Sequence, residues 1–266
     1  MALSGKTYLV TGSTDGIGLF TAQRLAAAGG DVIVHGRSRD RVAAAVAKVE
    51  AEARGKAKVT SYTRDLASLR EVRQLAADIK GDHGAIDVLV NNAGVYMESK
   101  ALSENGFEMT YAVNVLAPFL LTALVHDIVT SKIVNTASLS AAGSLDVNNL
   151  NQERGFSSHG AYSLSKLCNI MFTFEMAERM AERPYTVNAL DPGTVNTKML
   201  LAGWGSTGIP VTSATNEFHL ATGEDGVSGQ YYVGKQQRRA PAPSYDASLR
   251  RQMWALWEEQ TGQRFP

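Results

Sequence analysis

Short β-rich segments alternate with helical segments along most of the 266 residues, starting with a strand at Lys6 to Thr11. Six further apolar runs fit strands: DVIVHG, KVTSYTRD, IDVLVN, KIVNTAS, YTVNAL and GQYYVG. Helical segments separate most of these runs, and helices that connect parallel strands cover both faces of a sheet with right-handed crossovers. The alternation therefore predicts an α/β fold with a doubly wound parallel sheet of about seven strands.

No linker rich in Pro, Gly or Ser interrupts this alternation before Asp191, so residues 1–266 are predicted to form a single domain. Beyond Asp191 the sequence is rich in Gly, Thr and Ser, which predicts a long loop around 194–216 with room for one helix. A loop of that length inside a domain is usually functional, and we expect it to cover a substrate. A helical pattern around 245–261, with Trp254 and Trp257 on or near its packing side, closes the chain.

Composition and charge exclude several classes of function. The 26 Lys and Arg residues balance the 26 Asp and Glu residues, so no basic surplus indicates a nucleic-acid partner. The one cysteine, Cys168, permits no internal disulfide, and we predict no metal site. The sequence shows no uninterrupted apolar run of about 18 residues and no secretory signal pattern, which predicts a cytoplasmic protein without a membrane span.

The first strand ends in a glycine-rich turn, TGSTDGIG, that leads into a helix. Gly12 suits the tight turn, Gly16 permits close approach of a pyrophosphate, and Gly18 permits close packing of helix and strand. The N-terminus of the following helix offers free N–H groups to phosphates. The spacing differs from G-x-G-x-x-G, and such a turn can be purely structural, but its position predicts a dinucleotide site of the Rossmann type. The remaining predicted contacts of the turn are Ser13, Thr14, Asp15 and Ile17.

The end of the second strand indicates which dinucleotide is bound. NAD enzymes place an acidic residue there for the ribose 2′-hydroxyl, whereas this chain has Gly36 and Arg37. A guanidinium suits a 2′-phosphate, so the sequence favours NADP(H) over NAD(H). The alternative is a solvent-facing arginine at the start of a loop.

Two more candidate contacts follow the third and fourth strands, at the sheet edge where ligands of doubly wound folds bind. Asp65 and Leu66 come after the third strand, and Asn92, Ala93 and Gly94 come after the fourth. Taken separately, Asp65 could be a helix N-cap and NNAG could be a simple turn.

Tyr162 and Lys166 lie four residues apart in the apolar segment AYSLSKLCN. This spacing brings two side chains together on one face of a helix, with Cβ atoms about 5–6 Å apart. A cation beside a phenol favours the phenolate, which would make the tyrosine an acid or base. The structural alternative is an amphipathic helix with a tyrosine and a lysine at its rim.

Taken in order, these motifs resemble the short-chain dehydrogenase/reductase family. The matching segments are TGSTDGIG, RDL, NNAG, the asparagine in YAVNV, NTAS, YSLSK and DPGTVNT. Further likeness in FEMTYAVNVLAPFLLT and NNLNQE indicates the branch similar to retinol dehydrogenases and protochlorophyllide reductases. The resemblance spans nearly the whole chain.

The resemblance implies specific roles for individual residues. Tyr162 would exchange a proton with the substrate oxygen, and Lys166 would lower the tyrosine pKa and bind the nicotinamide ribose. Ser138 would bind the substrate oxygen, with Ser140 as a rival, and Asn114 would hold a water in a proton relay. The loop that covers the nicotinamide would contribute Pro192, Gly193, Val195 and Thr197.

These roles predict an NADP(H)-dependent oxidoreductase that transfers a hydride between nicotinamide and a carbonyl or alcohol. Apolar side chains after the two loops, namely Tyr96, Met97, Met199, Leu200, Leu201 and Trp204, indicate a small hydrophobic substrate, although they could simply close the core. A rival activity is reduction of a carbon–carbon double bond. A rival of another class is a nucleotide-binding regulatory or scaffold protein without turnover.

The helix from Ala161 to Met180 is apolar on more than one face, which indicates burial on two sides. Its second face could pack on another subunit, giving a homodimer, or beneath the C-terminal helix of the same chain. The connections before KIVNTAS and YTVNAL are unusually tight for this fold. Either these loops are short or the recorded chain omits residues there.

Overall fold

The protein forms one eight-stranded sheet in a computed structural model that describes residues 3–223 and 226–265. Its strand order is β3-β2-β1-β4-β5-β6-β7-β8, with the first seven strands parallel and β8 antiparallel to β7. The strands are β1 Thr7–Val10, β2 Asp31–Gly36, β3 Val59–Thr63, β4 Ile86–Asn91, β5 Val129–Thr136, β6 Thr186–Asp191, β7 Tyr231–Val233 and β8 Gln236–Gln237. The predicted doubly wound fold with about seven parallel strands is confirmed, with a two-residue strand added at its edge.

Nine α-helices occur among the described residues. They are α1 Gly16–Ala27, α2 Arg39–Ala53, α3 Leu69–Asp82, α4 Met109–Tyr111, α5 Ala117–Val125, α6 Ser158–Arg179, α7 Lys198–Trp204, α8 Asn216–Thr222 and α9 Ala247–Thr261. A π-helical turn over Ala112–Leu116 joins α4 to α5.

Two apolar cores lie on opposite faces of the sheet. One contains Leu25 of α1, Val49 of α2 and Leu220 of α8, and the other contains Leu75 of α3 and Leu167 of α6. Burying one such side chain contributes roughly 1.5–3 kcal/mol to the free energy of unfolding. Because the sheet is covered on both faces, its strands are continuously apolar, and ligand groups can approach only at the strand ends.

The second apolar face of α6 lies beneath α9 of the same chain. Trp254 and Trp257 are fully buried, and their rings contact Phe119 of α5 and Phe172 of α6. The structure therefore favours the intramolecular alternative for this face. The homodimer stays a prediction that this face no longer supports.

The tight connections are short loops within the fold. A single 3₁₀ turn, His126–Ile128, joins α5 to β5, and the pairing of β4 with β5 shifts register between Ile86 and Val88. Residues 180–185 connect α6 to β6.

The segment after β6 folds back on itself. Asn196 donates from Nδ2 to the Gly208 carbonyl at 2.7 Å and accepts from the Gly208 N–H at 2.8 Å, beside a bridge between Val195 and Ile209. The predicted loop around 194–216 thus contains α7 and a 3₁₀ turn, Val211–Ser213.

One helical segment passes the length and hydropathy test for a membrane span, contrary to the sequence-based expectation. It runs over Met109–Ile128, has a mean hydropathy of 1.5, and has 83% of its apolar window buried inside the protein. Polar residues interrupt its apolar run, which is why counting uninterrupted apolar residues missed it. Such burial is typical of a core helix, and length and composition alone are weak evidence for a span.

Candidate active site

A cavity of about 410 Å³ opens at the carboxyl ends of β1, β4, β5 and β6, where the strand order reverses direction. Most of the predicted site residues line it: Gly12, Thr14, Asp15, Gly16, Ile17, Gly18, Arg37, Asp65, Leu66, Asn92, Ala93, Gly94, Ser138, Tyr162, Lys166, Pro192, Gly193, Val195 and Thr197. Ser13 and Asn114 are buried behind its wall. Residues from seven separate segments of the sequence therefore meet around one space.

The glycines of the first turn leave no room for side chains. Gly12 has a φ of +67°, and a Cβ there would lie 2.8 Å from the Ala93 Cα. A Cβ on Gly18 would lie 2.3 Å from Nδ2 of Asn92, whose amide donates to the Thr11 carbonyl at 2.7 Å. NNAG is therefore tied to the glycine turn, and the start of α1 is open to the cavity. This cradle fits a dinucleotide pyrophosphate.

His35, which the sequence did not identify, stabilises the glycine turn through a hydrogen bond to its backbone. Its Nδ1 accepts from the Gly12 N–H at 3.2 Å, so its Nε2 carries the proton and donates to the Arg64 carbonyl at 3.1 Å. Burial lowers the pKa of His35 to about 4, which keeps the ring neutral. The only sequence signal was a histidine at the end of an apolar strand.

Ser13 does not contact the cavity, contrary to its predicted role as a cofactor contact. Its hydroxyl donates to the Val10 carbonyl at 2.8 Å and accepts from the His35 N–H at 3.0 Å. The side chain points into the β1–β2 junction because these backbone groups need partners there.

The predicted 2′-phosphate position contains two exposed arginines that differ in pairing. Arg37 lies on the cavity wall, and Arg41, in the first turn of α2, pairs with Asp15 at 3.1 Å. A Cβ on Gly36 would lie 2.4 Å from the Thr14 Cγ2, so a side chain at position 36 requires Thr14 to move.

Asp65 is not the N-cap of the following helix, which was the structural alternative. Ser68 caps α3 by accepting from the Glu71 N–H, while Asp65 Oδ1 accepts from the Ala67 N–H at 3.0 Å. Asp65 also lines the cavity.

Tyr162 and Lys166 are buried on α6 at the opposite end of the cavity, and Ser138 follows β5. The Ser138 hydroxyl lies near the Tyr162 phenol, whose pKa it lowers, and it accepts from the Ser140 N–H at 3.1 Å. Ser138, rather than its rival Ser140, is thus the serine that acts on the phenol. Lys166 Nζ lies 5.5 Å from the centre of the tyrosine ring and donates to the Thr136 carbonyl at 2.7 Å.

Asn114 lies in the π-helical turn. Its amide Nδ2 donates to the Val95 carbonyl at 3.0 Å and to Ser165 Oγ at 3.1 Å, and its Oδ1 accepts from the Val95 N–H at 2.8 Å. π-turns are frequent at functional sites. Both amide hydrogens are used by protein groups, so the side chain joins the segment after NNAG to α6.

Burial has the largest effect on the pKa values of both Tyr162 and Lys166. It raises the pKa of Tyr162 to about 12, while the Ser138 hydroxyl lowers it and Asp191 raises it too. The lowering by Lys166 stays a prediction. Burial lowers the pKa of Lys166 to about 8, against Glu217 and Asp191, which raise it. Desolvation dominates both groups because each is enclosed by apolar side chains.

Asp191 joins the two loops that flank the phenol. Its Oδ2 accepts from the Leu139 N–H at 2.7 Å and its Oδ1 accepts from the Gly193 N–H at 2.8 Å. The residue begins the DPGTVNT motif, but the motif alone did not indicate this role.

An aromatic cluster closes the cavity near Tyr162. The Trp204 ring of α7 lies 5.3 Å from that of Tyr162 and 5.1 Å from that of Tyr96, whose hydroxyl bonds His159 Nδ1 at 2.9 Å. Met199 and Leu200 also line the cavity, whereas Met97 and the exposed Leu201 do not. The predicted apolar wall is thus smaller than expected, because Leu201 lies on the outer side of α7.

Within residues 3–223 and 226–265, no cluster of three His, Cys, Asp or Glu side chains could hold a metal ion.

The short chain dehydrogenase family model matches residues 6–203. Human retinol dehydrogenase 13 is 36% identical over 95% of this chain and 83% of its own length, and human polyprenol dehydrogenase is 31% identical over 97% and 85%. The chain therefore belongs to the short-chain dehydrogenase/reductase family, in its retinol dehydrogenase-like branch. It is an enzyme of the class that binds a nicotinamide cofactor and acts on CH–OH or C=O groups.

Solved structures agree with this assignment. An uncharacterized protein from Mycobacterium paratuberculosis superposes with a TM-score of 0.81 at 29% identity, covering 100% of this chain and 96% of that one. A short chain dehydrogenase from Burkholderia cenocepacia J2315, in complex with NADP, has a TM-score of 0.69 at 26% identity, covering 88% and 97%.

Proposed function

We propose that this enzyme is an NADP(H)-dependent oxidoreductase that acts on a hydrophobic carbonyl or alcohol, with Tyr162 as its acid and base. The observation that carries the proposal is the shared cavity, which has a glycine cradle at one end and Ser138, Tyr162 and Lys166 at the other. A bound nicotinamide cofactor supplies or accepts the hydride. Tyr162 then gives its proton to the substrate oxygen, or takes one from it, while Ser138 orients that oxygen.

The preference for NADP(H) rests on charge and space at the end of β2. Arg37 is exposed on the cavity wall and makes no ion pair among the described residues, so its guanidinium is available to a 2′-phosphate. Position 36 is a glycine, and a side chain there would meet the Thr14 methyl group, so no carboxylate stands there to accept from the ribose 2′-hydroxyl. The neighbour from Burkholderia cenocepacia was crystallised with NADP, which supports the same preference.

Cofactor titration tests this preference. We expect NADPH to bind the purified protein more tightly than NADH, and Arg37→Ala to weaken NADPH alone by about tenfold or more, since a charge-assisted hydrogen bond contributes roughly 1.5–3 kcal/mol. Fluorescence of the bound cofactor gives both dissociation constants. Arg39→Ala, which changes an arginine outside the cavity lining, is the matched control. Equal affinity for both cofactors in the unchanged protein would refute the preference.

The apolar wall near Tyr162 supports a hydrophobic substrate. Met199, Leu200 and Trp204 surround the end of the cavity where the reacting carbon would lie. The relatives called retinol dehydrogenase and polyprenol dehydrogenase are named after apolar alcohols. The size and charge of this wall favour an aldehyde, ketone or alcohol with an apolar body.

Turnover of a panel of apolar aldehydes and ketones with NADPH tests the chemistry. We expect alcohols as products, and we expect Tyr162→Phe to reduce kcat by about 10²–10⁴-fold, the usual contribution of general acid–base catalysis. Cofactor affinity should remain, because the ring is kept. A saturated carbonyl product would indicate double-bond reduction instead, and tight cofactor binding without turnover would favour a regulatory or scaffold role.

A further inference from the structure

Glu217 of α8 is a fully buried carboxylate in the fold that contacts no cation among the described residues. Its Oε1 accepts from the Thr136 hydroxyl at 2.6 Å, and its Oε2 accepts from the Thr21 hydroxyl at 3.1 Å. Burial raises the pKa of Glu217, while the hydrogen bonds from Thr136 and Thr21 and the charge of Lys166 lower it. Two hydroxyl donors on two different oxygens favour the ionised form, which accepts at both oxygens. A buried carboxylate without a compensating positive charge would be costly, so its countercharge must be sought nearby.

Lys166 is the complementary buried charge, and it lies on the other side of Thr136. Its buried ammonium donates to the Thr136 carbonyl, which is a neutral acceptor and which also accepts from Asn169 Nδ2 at 3.3 Å. The Thr136 carbonyl thus faces the lysine while the Thr136 hydroxyl faces Glu217. Two buried opposite charges are linked through a single residue, and such charges interact strongly because little water screens them.

The other ionisable groups around Lys166 do not replace Glu217. Asp191 of β6 acts on Lys166 through space, but its two oxygens accept from the N–H groups of Leu139 and Gly193. Tyr162 is neutral on the same helix, and Tyr231 of β7 interacts with Asp191 and Tyr162. Glu217 is the group that shares a hydrogen-bonding residue with the lysine.

We propose that Glu217 is a positioning residue that keeps Lys166 protonated and holds Thr136 where its carbonyl can accept from the lysine. Through Thr21 of α1 and Thr136, Glu217 also joins the helix of the glycine turn to the end of β5. The consequence for catalysis rests on the proposed function, whereas the charge pairing does not. In support, Glu217 raises the pKa of Lys166, which burial lowers to about 8.

The direct test measures the pKa of Lys166 by NMR in protein labelled with ¹³C at lysine Cε, without cofactor or substrate. The loss of one signal in Lys166→Met assigns the resonance. Glu217→Gln removes the charge but keeps the shape, and it should lower this pKa by about 1 unit, as expected for losing a neighbouring opposite charge. An unchanged Lys166 pKa in folded Glu217→Gln would overturn the proposal.

Two further variants separate charge from packing. Glu217→Asp keeps the charge and should leave the Lys166 pKa near that of the unchanged protein; a fall as large as that in Glu217→Gln contradicts the proposal. If Glu217→Gln fails to fold, the ¹³C shift of the Glu217 carboxyl in the unchanged protein decides instead: an ionised Glu217 at pH 7 is expected, and a protonated one would overturn the proposal. Glu175→Gln, a buried carboxylate on α6 that pairs with Arg250 at 3.3 Å, is the matched control and should not move the Lys166 pKa.

A kinetic measurement then connects the charge to the reaction. In Glu217→Gln the alkaline limb of kcat should move to lower pH by the same about 1 unit, which means about tenfold lower activity above that limb. KM for the carbonyl should change little, because Glu217 lies behind the cavity wall. Absence of turnover in the unchanged enzyme would refute the proposed function but would leave the NMR result standing.

Discussion

At the residue scale, the cofactor cradle depends on two buried side chains, those of His35 and Ser13, that hydrogen-bond the backbone behind it. His35 and Ser13 supply hydrogen bonds that β1 and β2 cannot supply to each other beyond their last paired residues. The sequence identified the glycines, because tight turns and close approaches require them. It could not identify His35, because a single histidine at a strand end carries no information about which N–H it faces.

We expect His35→Ala to raise the dissociation constant for NADPH. The Gly12 N–H would lose its acceptor, and a buried donor left without a partner costs about 1–3 kcal/mol, or roughly fivefold to 150-fold in affinity. Fluorescence titration measures the change. His83→Ala, at the end of α3, is the control. Unchanged affinity in His35→Ala would show that the turn holds its shape without this bond.

The same histidine gives an acid-side dependence of stability. The pKa of His35 in the folded protein is about 4, below the 6.5 of an ordinary histidine. The unfolded chain therefore binds the proton first, so this stabilisation is complete above pH 6.5 and is lost as pH falls toward 4. Denaturant unfolding at pH 7 and pH 4.5 should show a smaller difference in His35→Ala than in the unchanged protein.

At the element scale, the short helix α7 brings two kinds of contact to the cavity. At its start, Lys198 pairs with Asp15 of the glycine turn at 2.7 Å, and at its end Trp204 packs on Tyr96 and Tyr162. The ion pair is exposed, and such pairs contribute little, about 0–1 kcal/mol. The aromatic contacts are the larger effect, at roughly 0.5–1.5 kcal/mol for each ring pair.

We expect Trp204→Ala to raise KM for an apolar aldehyde by roughly threefold to tenfold, the effect of removing an aromatic surface on which the substrate would pack. The melting temperature should change little, because Trp204 is only partly buried. Initial rates at saturating NADPH give KM and kcat separately. Leu201→Ala, on the outer side of the same helix, should behave as the unchanged enzyme. Equal effects of the two substitutions would mean that α7 acts only through its stability.

The sequence predicted an element correctly where the spacing of its apolar residues determines that element. Periodicity identified β1, β4 and α6 because each is buried on a face that the spacing of apolar residues defines. The π-turn at Ala112–Leu116 and the fold-back at Asn196 were missed. Both depend on hydrogen bonds between residues that are distant in sequence or out of helical register, which no local pattern encodes.

At the scale of the whole molecule, α9 packs on the outer surface of α5 and α6. Besides its two tryptophans, it presents Arg250, which is buried and pairs with Glu175 and Glu178. α6 carries Tyr162 and Lys166 on one side and supports α9 on the other. The position of the acid–base pair thus depends on contacts made by the last helix of the described chain.

We expect Trp257→Ala to destabilise the protein by about 3–5 kcal/mol, the usual cost of truncating a large buried aromatic. The side chain is fully buried, and its Nε1 donates to the Tyr111 hydroxyl at 3.1 Å. Urea unfolding measures the loss. Trp204→Ala serves as the partly exposed comparison. A loss below about 1 kcal/mol would show that α9 is dispensable for the stability of the fold.

The contact between position 36 and Thr14 couples two positions in any change of cofactor choice during evolution or engineering. An acidic residue at position 36 requires the Thr14 methyl group to move, because that group lies 2.4 Å from the position of the new Cβ. A smaller residue at position 14 removes this contact but adds no acceptor for the ribose 2′-hydroxyl. We therefore expect paired libraries at positions 14 and 36 to yield more NAD-preferring variants than libraries at position 36 alone.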